Sequence, residues 1–194
     1  WIDILRKIFY SFDPATGNCI YTNLSFHVGS FTLTTKQELL FATNEGVKFV
    51  NNFKVTKTID VPGFDSVNCN MNDGKCDKSG NFLFGSMDKS ESKPVGALYR
   101  LNSEHKVETL LTGVVIANGP AFSTNGETMY FSDSFNRAIL KFKYRSNKKF
   151  DDNFEIFIKF DKNEGVPDGL SVDSQDRLWV AMWGGEKINI FNML

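Results

Sequence analysis

"NGPAFSTNGETMYFSDS", residues 118–134, sets an Asn-Gly pair five residues ahead of a second small polar residue, a turn, and then an apolar strand. The same frame occurs twice more. "NDGKCDKSGNFLFGSMD" (72–88) and "DGLSVDSQDRLWVAMW" (168–183) align with it, so that Asn72, Asn118 and Asp168 fall in register. Asp77, Ser123 and Asp173 then open turns that contain Gly80, Gly126 or Asp176, and "FLFGS", "MYFSD" and "LWVAM" follow as strands. A side-chain acceptor at the first turn position, with a residue tolerant of positive φ late in the turn, is hairpin chemistry.

Each copy closes with a further strand: "GALYRLN" (96–102), "RAILKFKY" (137–144) and "EKINIFN" (186–192). A weaker fourth copy is "GSFTLTTKQELLFAT" (29–43), and "RKIFYSFD" (6–13) reads as the closing strand of a unit that begins before Trp1. Gly29, Asn72, Asn118 and Asp168 are then 43, 46 and 50 residues apart. That period holds about four short strands, the length of one propeller blade. The polar stretch "RSNKKFDDN" (145–153) reads as a surface loop, and no segment reads as a helix of useful length.

Composition agrees with an all-β chain. Nineteen Phe and 41% hydrophobic residues suit half-buried strands and supply the core of a single domain over residues 1–194. The net charge of -1 comes from 22 basic and 23 acidic residues spread along the chain, which excludes a basic stripe for nucleic acid. No apolar run reaches the roughly 18 residues that span a bilayer, so a membrane partner is not expected. Cys19, Cys69 and Cys76 match no zinc or redox spacing and read as reduced, buried or semi-buried thiols, consistent with a cytoplasmic protein. The start "WIDILRK" carries neither a signal-peptide pattern nor a Met, and Trp1 reads as other than the natural first residue.

In a propeller the innermost strand of every blade lines a common channel, so equivalent positions converge. Asn72, Asn118 and Asp168 would thereby meet near one point, and a carboxylate with amide carbonyls is an oxygen ligand set for a hard divalent cation. The alternative is that Asx-Gly pairs are simply turns that a repeat reproduces. Because the hairpin turn already follows five to eight residues later, a second Asx-Gly pair has no evident structural duty, which favours a site. No GxSxG occurs, and His27 and His105 lack spaced partners, so both read as surface or structural residues. Asp88 and Asp133 read as loop caps. Trp179, Trp183 and Phe131 follow strand alternation and read as core.

The three blocks, with "WIDILRKIFYSFDPATG" ahead of them, resemble the SMP-30/gluconolactonase/luciferin-regenerating-enzyme (regucalcin-like) family from Trp1 to about Phe191. The resemblance implies a six-bladed β-propeller, about four blades of it in this chain, that hydrolyses sugar lactones with one divalent cation, whether calcium, zinc, manganese or magnesium. It implies metal ligation by Asn118 and Asp168, proton transfer by Asp168, and substrate binding by Asn72. It also implies a Glu ligand upstream of Trp1 and closing blades beyond Leu194, so that the 194 residues alone would form a poorly soluble open arc. The family writes Arg two residues before the Asn of the Asn-Asp-Gly block, where this sequence has Asn70. The partner implied is a small-molecule lactone, its identity left open by the loss of that Arg; a non-catalytic calcium-binding propeller is the alternative.

Overall fold

The computed structural model describes residues 1–192 as eighteen antiparallel strands in five sheets, without a helix among the described residues. In chain order the sheets are β1–β3 (Ile2–Asp3, Ile8–Phe12, Cys19–Asn23), β4–β7 (Val28–Leu33, Leu39–Thr43, Gly46–Asn51, Lys54–Ile59) and β8–β11 (Cys69–Cys76, Phe82–Asp88, Gly96–Leu101, Val107–Val114). Then come β12–β15 (Ala117–Phe122, Thr128–Asp133, Ala138–Lys143, Phe154–Lys159) and β16–β18 (Val166–Val172, Arg177–Trp183, Lys187–Asn192). All-β propeller architecture is as expected; the blade count is not. Three four-stranded and two three-stranded sheets make five blades, where about four of six were expected. The extra blade is β1–β3, which the repeat understated because β1 has only two residues and β3 is largely exposed.

Strands follow one another outward from the channel within each full sheet, and successive sheets pack face to face. Four apolar clusters fill the four gaps. Phe9, Phe26, Val28 and Phe41 join blades one and two, while Leu40, Phe49, Met71, Phe84 and Tyr99 join two and three. Leu83, Leu98, Met129, Phe131 and Phe142 join three and four, while Tyr130, Ile139, Leu170, Leu178 and Val180 join four and five. A middle strand is thus covered on both sides, which is why β9 reads "FLF" and β13 "MYF" rather than alternating with polar residues. Phe82 and Phe84 face one neighbouring blade and Leu83 the other.

The hairpin turns form as the sequence requires. The amides of Gly80, Gly126 and Asp176 donate to the carbonyls of Asp77, Ser123 and Asp173, and these three donor residues close their turns at positive φ of 82°, 76° and 59°. Asp77 does more than cap. Its carboxylate accepts from the Ser79 and Asn81 amides at 2.9 Å each and, across the blade gap, from the Tyr144 hydroxyl at 2.7 Å. Both residues are buried. Among the described residues no helix is long and apolar enough to cross a membrane.

Removing one member of this buried pair strands the other. Asp77→Ala is expected to cost about 2–3 kcal/mol and Tyr144→Phe about 1–2 kcal/mol in urea unfolding, with strong non-additivity in the double variant. Additive costs would show that the two blades are not coupled through this bond.

Candidate active site

The ladder between the innermost strand and its neighbour breaks at the same place in four blades. The register shifts between Val28 and Ser30, between Met71 and Gly74, between Asn118 and Ala121, and between Pro167 and Leu170. Gly29, Asn72, Asn118 and Asp168 lie in or at these interruptions. The Asx-Gly pairs therefore do have a structural duty, contrary to the sequence reading: they are β-bulges. A bulge bends its strand and re-aims a side chain, so a structural duty does not exclude a site.

The re-aimed side chains meet. Asn72, Asn118 and Asp168 line one cleft of about 460 Å³, together with Ser134, Glu91, Arg137, Phe135 and Trp183. Asn72 Nδ2 donates to Asn118 Oδ1 at 2.7 Å and to the Ala117 carbonyl at 3.0 Å. Asn118 Nδ2 donates to Ser134 Oγ at 2.9 Å, and Ser134 Oγ donates to the Pro167 carbonyl at 2.6 Å. Ser132 Oγ donates to the carbonyl of Asp168 itself at 2.8 Å. Ser132, in β13, and Ser134, just after it, are both buried and are the hydrogen-bonding neighbours of the site that no sequence motif marks.

Asp168 is partly buried, and among the described residues its carboxylate pairs with no cationic side chain. Burial holds its pKa above the usual carboxylate range, and the negative charge of Asp73 pushes it the same way. Asp73 is raised mainly by burial, against hydrogen bonds to its two oxygens from the Gly74 and Gly119 amides at 2.7 and 2.9 Å. An oriented amide oxygen and an uncompensated, half-buried carboxylate on one cleft fit a hard divalent cation, with Asn118 and Asp168 as the residues to hold it. Among the described residues no cluster of three His, Cys, Asp or Glu offers a rival metal site.

The other sequence readings divide. Asp88 caps its loop through Ser90, Ser92 and Lys93, and Asp133 caps Asn136. Phe131 is core, but Trp179 is only partly buried and donates its indole N–H to Asp173, and Trp183 stands 70% exposed at the cleft mouth. Cys69 is buried and Cys76 half-buried, while Cys19 is exposed because β3 has nothing packed on its outer side. Asn70 Oδ1 accepts from Asn44 Nδ2 at 2.8 Å.

The family described as the SMP-30/Gluconolactonase/LRE-like region matches residues 1–193. An uncharacterised protein of Sulfolobus acidocaldarius is 35% identical over 160 residues, covering 82% of this chain and 58% of that protein. L-arabinolactonase of Azospirillum brasilense is 41% identical over 121 residues, 61% of this chain and 40% of the enzyme. The chain thus spans roughly half the length of these relatives. A luciferin-regenerating enzyme superposes with a TM-score of 0.86 at 26% identity, covering 97% of this chain and 66% of that one.

Because the folded state holds the Asp168 proton to higher pH than the unfolded chain does, the ionised group opposes folding at neutral pH, and this penalty disappears as the pH falls below the carboxylate range. In metal-free protein Asp168→Asn is therefore expected to raise the melting temperature at pH 7, with the gain shrinking on acidification. A lower melting temperature at pH 7 would contradict this electrostatic account.

Proposed function

The chain belongs to the SMP-30/gluconolactonase/LRE-like family, and from that premise we propose that the protein hydrolyses a sugar lactone to its aldonic acid with one divalent cation held by Asn118 and Asp168. The observation that carries this reading is the convergence of Asn72, Asn118 and Asp168 on one cleft from three separate blades. The L-arabinolactonase among the relatives supports the substrate class. When bound, the cation supplies Lewis-acid polarisation of the lactone carbonyl and stabilisation of the oxyanion.

The chain's own groups supply the rest. Asp168, with its pKa raised by burial and by Asp73, takes a proton from the attacking water and returns one to the ring oxygen as the acyl C–O bond breaks. Asn72 spends its amide N–H on Ala117 and Asn118, which leaves Oδ1 to accept from a substrate hydroxyl. A lactone is an activated enough ester to need no covalent nucleophile, in keeping with the lack of a Ser-His pair.

A second reading, a cation-binding propeller without catalysis, is favoured by Asn70. A neutral amide tied to Asn44 replaces a guanidinium that could grip oxygens in bidentate fashion. The two readings separate on the full-length protein, stripped of metal and reloaded singly with Ca²⁺, Zn²⁺, Mn²⁺ or Mg²⁺, followed by pH-stat on gluconolactone and arabinolactone. Hydrolysis with at least one cation is expected, with Asp168→Asn lowering kcat by about 10²–10⁴-fold and Asn72→Ala raising KM by up to about tenfold. Tight cation binding with no hydrolysis of either lactone would leave only the non-catalytic reading.

A further inference from the structure

The amide of Asn118 has two ends of nearly equal shape, and only one of them can serve a cation. We propose that Ser134 is the positioning residue that fixes which end faces Asn72 and the cleft, an inference that rests on the cation reading above. The polarity is imposed from two backbone carbonyls, neither of which can donate. At one end the Ala117 carbonyl requires Asn72 to present Nδ2, and the same Nδ2 then requires an oxygen from Asn118. At the other end the Pro167 carbonyl takes the single hydroxyl hydrogen of Ser134. With that hydrogen spent, Ser134 meets Asn118 with a lone pair, and Asn118 must present Nδ2.

Turning the amide over would set Oδ1 against the Ser134 lone pair and Nδ2 against the Nδ2 of Asn72. Asn118 is 7% exposed and Ser134 is 2% exposed, so water cannot relieve the clash on the Ser134 side. The lock therefore leaves two acceptors on the cleft, the second lone pair of Asn118 Oδ1 and the free Oδ1 of Asn72. It also spans three blades, since Asn72 lies on β8, Asn118 on β12 with Ser134 just after β13, and Pro167 on β16 beside Asp168. Ser132, two residues earlier, holds the Asp168 carbonyl, so one strand end registers both proposed ligands.

Isothermal titration of metal-free full-length protein with Mn²⁺ and with Ca²⁺ tests the assignment. Ser134→Ala is expected to weaken the cation Kd by about 10–100-fold, the usual cost of losing a group that orients a ligand. Ser134→Cys, close in size but a weak acceptor, should lose a similar factor, and Ser134→Thr, which keeps the hydroxyl, should bind within about threefold of wild type. In an Asn118→Ala background Ser134→Ala should add no further loss, whereas a merely structural serine would weaken binding equally in both backgrounds. Wild-type affinity in Ser134→Ala and Ser134→Cys, or no rescue by Thr, would overturn the proposal while Asn118→Ala and Asp168→Asn still measurably weaken binding. If those two variants bind as wild type, or wild type binds no cation, the cation reading falls and the role of Ser134 falls with it.

Discussion

A Cβ at Gly29 would lie 2.3 Å from the carbonyl carbon of Met71 and 2.4 Å from the amide nitrogen of Asn72. The inner strands β4 and β8 are therefore in backbone contact, at the position where the repeat places Asn, Asn and Asp in the later blades. One blade on, the middle strand β9 comes close to the inner strand β12, where a Cβ at Gly85 would meet that of Ala117 at 2.6 Å. Strands this close cannot accommodate a side chain between them, and the bulges turn the Asx side chains out of the contact toward the cleft. Blade two places a glycine at this position, and its lack of a Cβ is what lets the backbone of Met71 and Asn72 come this close.

The same closeness explains what the sequence could and could not tell. Middle strands between two blades are apolar on both faces, so "FLFGS" and "MYFSD" are conspicuous, while "LWVAM", buried on alternate residues, shows as an apolar run; Asp77, Ser123 and Asp173 mark the turns through local bonds that need no tertiary context. The outermost strands were not conspicuous. Lys54–Ile59 is exposed over five of its six residues and reads as polar chain, and its strand identity comes only from pairing with Gly46–Asn51. Edge strands of that composition are protected from wrong pairing by their lysines, at the cost of a weaker signal. The first blade shows in the sequence only through its middle strand, because β1 has two residues and β3 is largely exposed.

At the site, the residues that carry charge or an amide on a repeated frame were legible, and the hydroxyls that hold them were not. Ser134 acts on Pro167 across 33 residues and a blade gap, a relation that no local pattern encodes. One signal was available. β13 is buried from Met129 to its end, yet "FSDS" places polar residues at Ser132, Asp133 and Ser134 where alternation would put at least one apolar side chain. Buried hydroxyls on a strand end need acceptors, and here the acceptors are the carbonyls of the next blade. Turn and ligand are rival readings of the Asx-Gly pairs at the level of sequence, and the bulges show that a structural duty and a place on the cleft are compatible.

The hub is tied by side-chain to backbone bonds that cross between blades: Asp73 accepts from Gly119, Lys75 donates to the Leu170 carbonyl at 2.6 Å, and Ser132 and Ser134 bind the carbonyls of Asp168 and Pro167. Set against these bonds is the proximity of two carboxylates, Asp73 and Asp168, each raised by burial, with Lys75 interacting with the first. Hydrogen bonds of this kind hold geometry with modest net stabilisation, whereas buried like charge costs folding energy until something neutralises it. A divalent cation at Asp168 would turn that cost into attraction and stabilise the blades by the free energy of its own binding. Cohesion of blades three to five and cation binding at the cleft are on this account coupled, because Asp168, which would hold the ion, is one of the two carboxylates whose repulsion the hub bears.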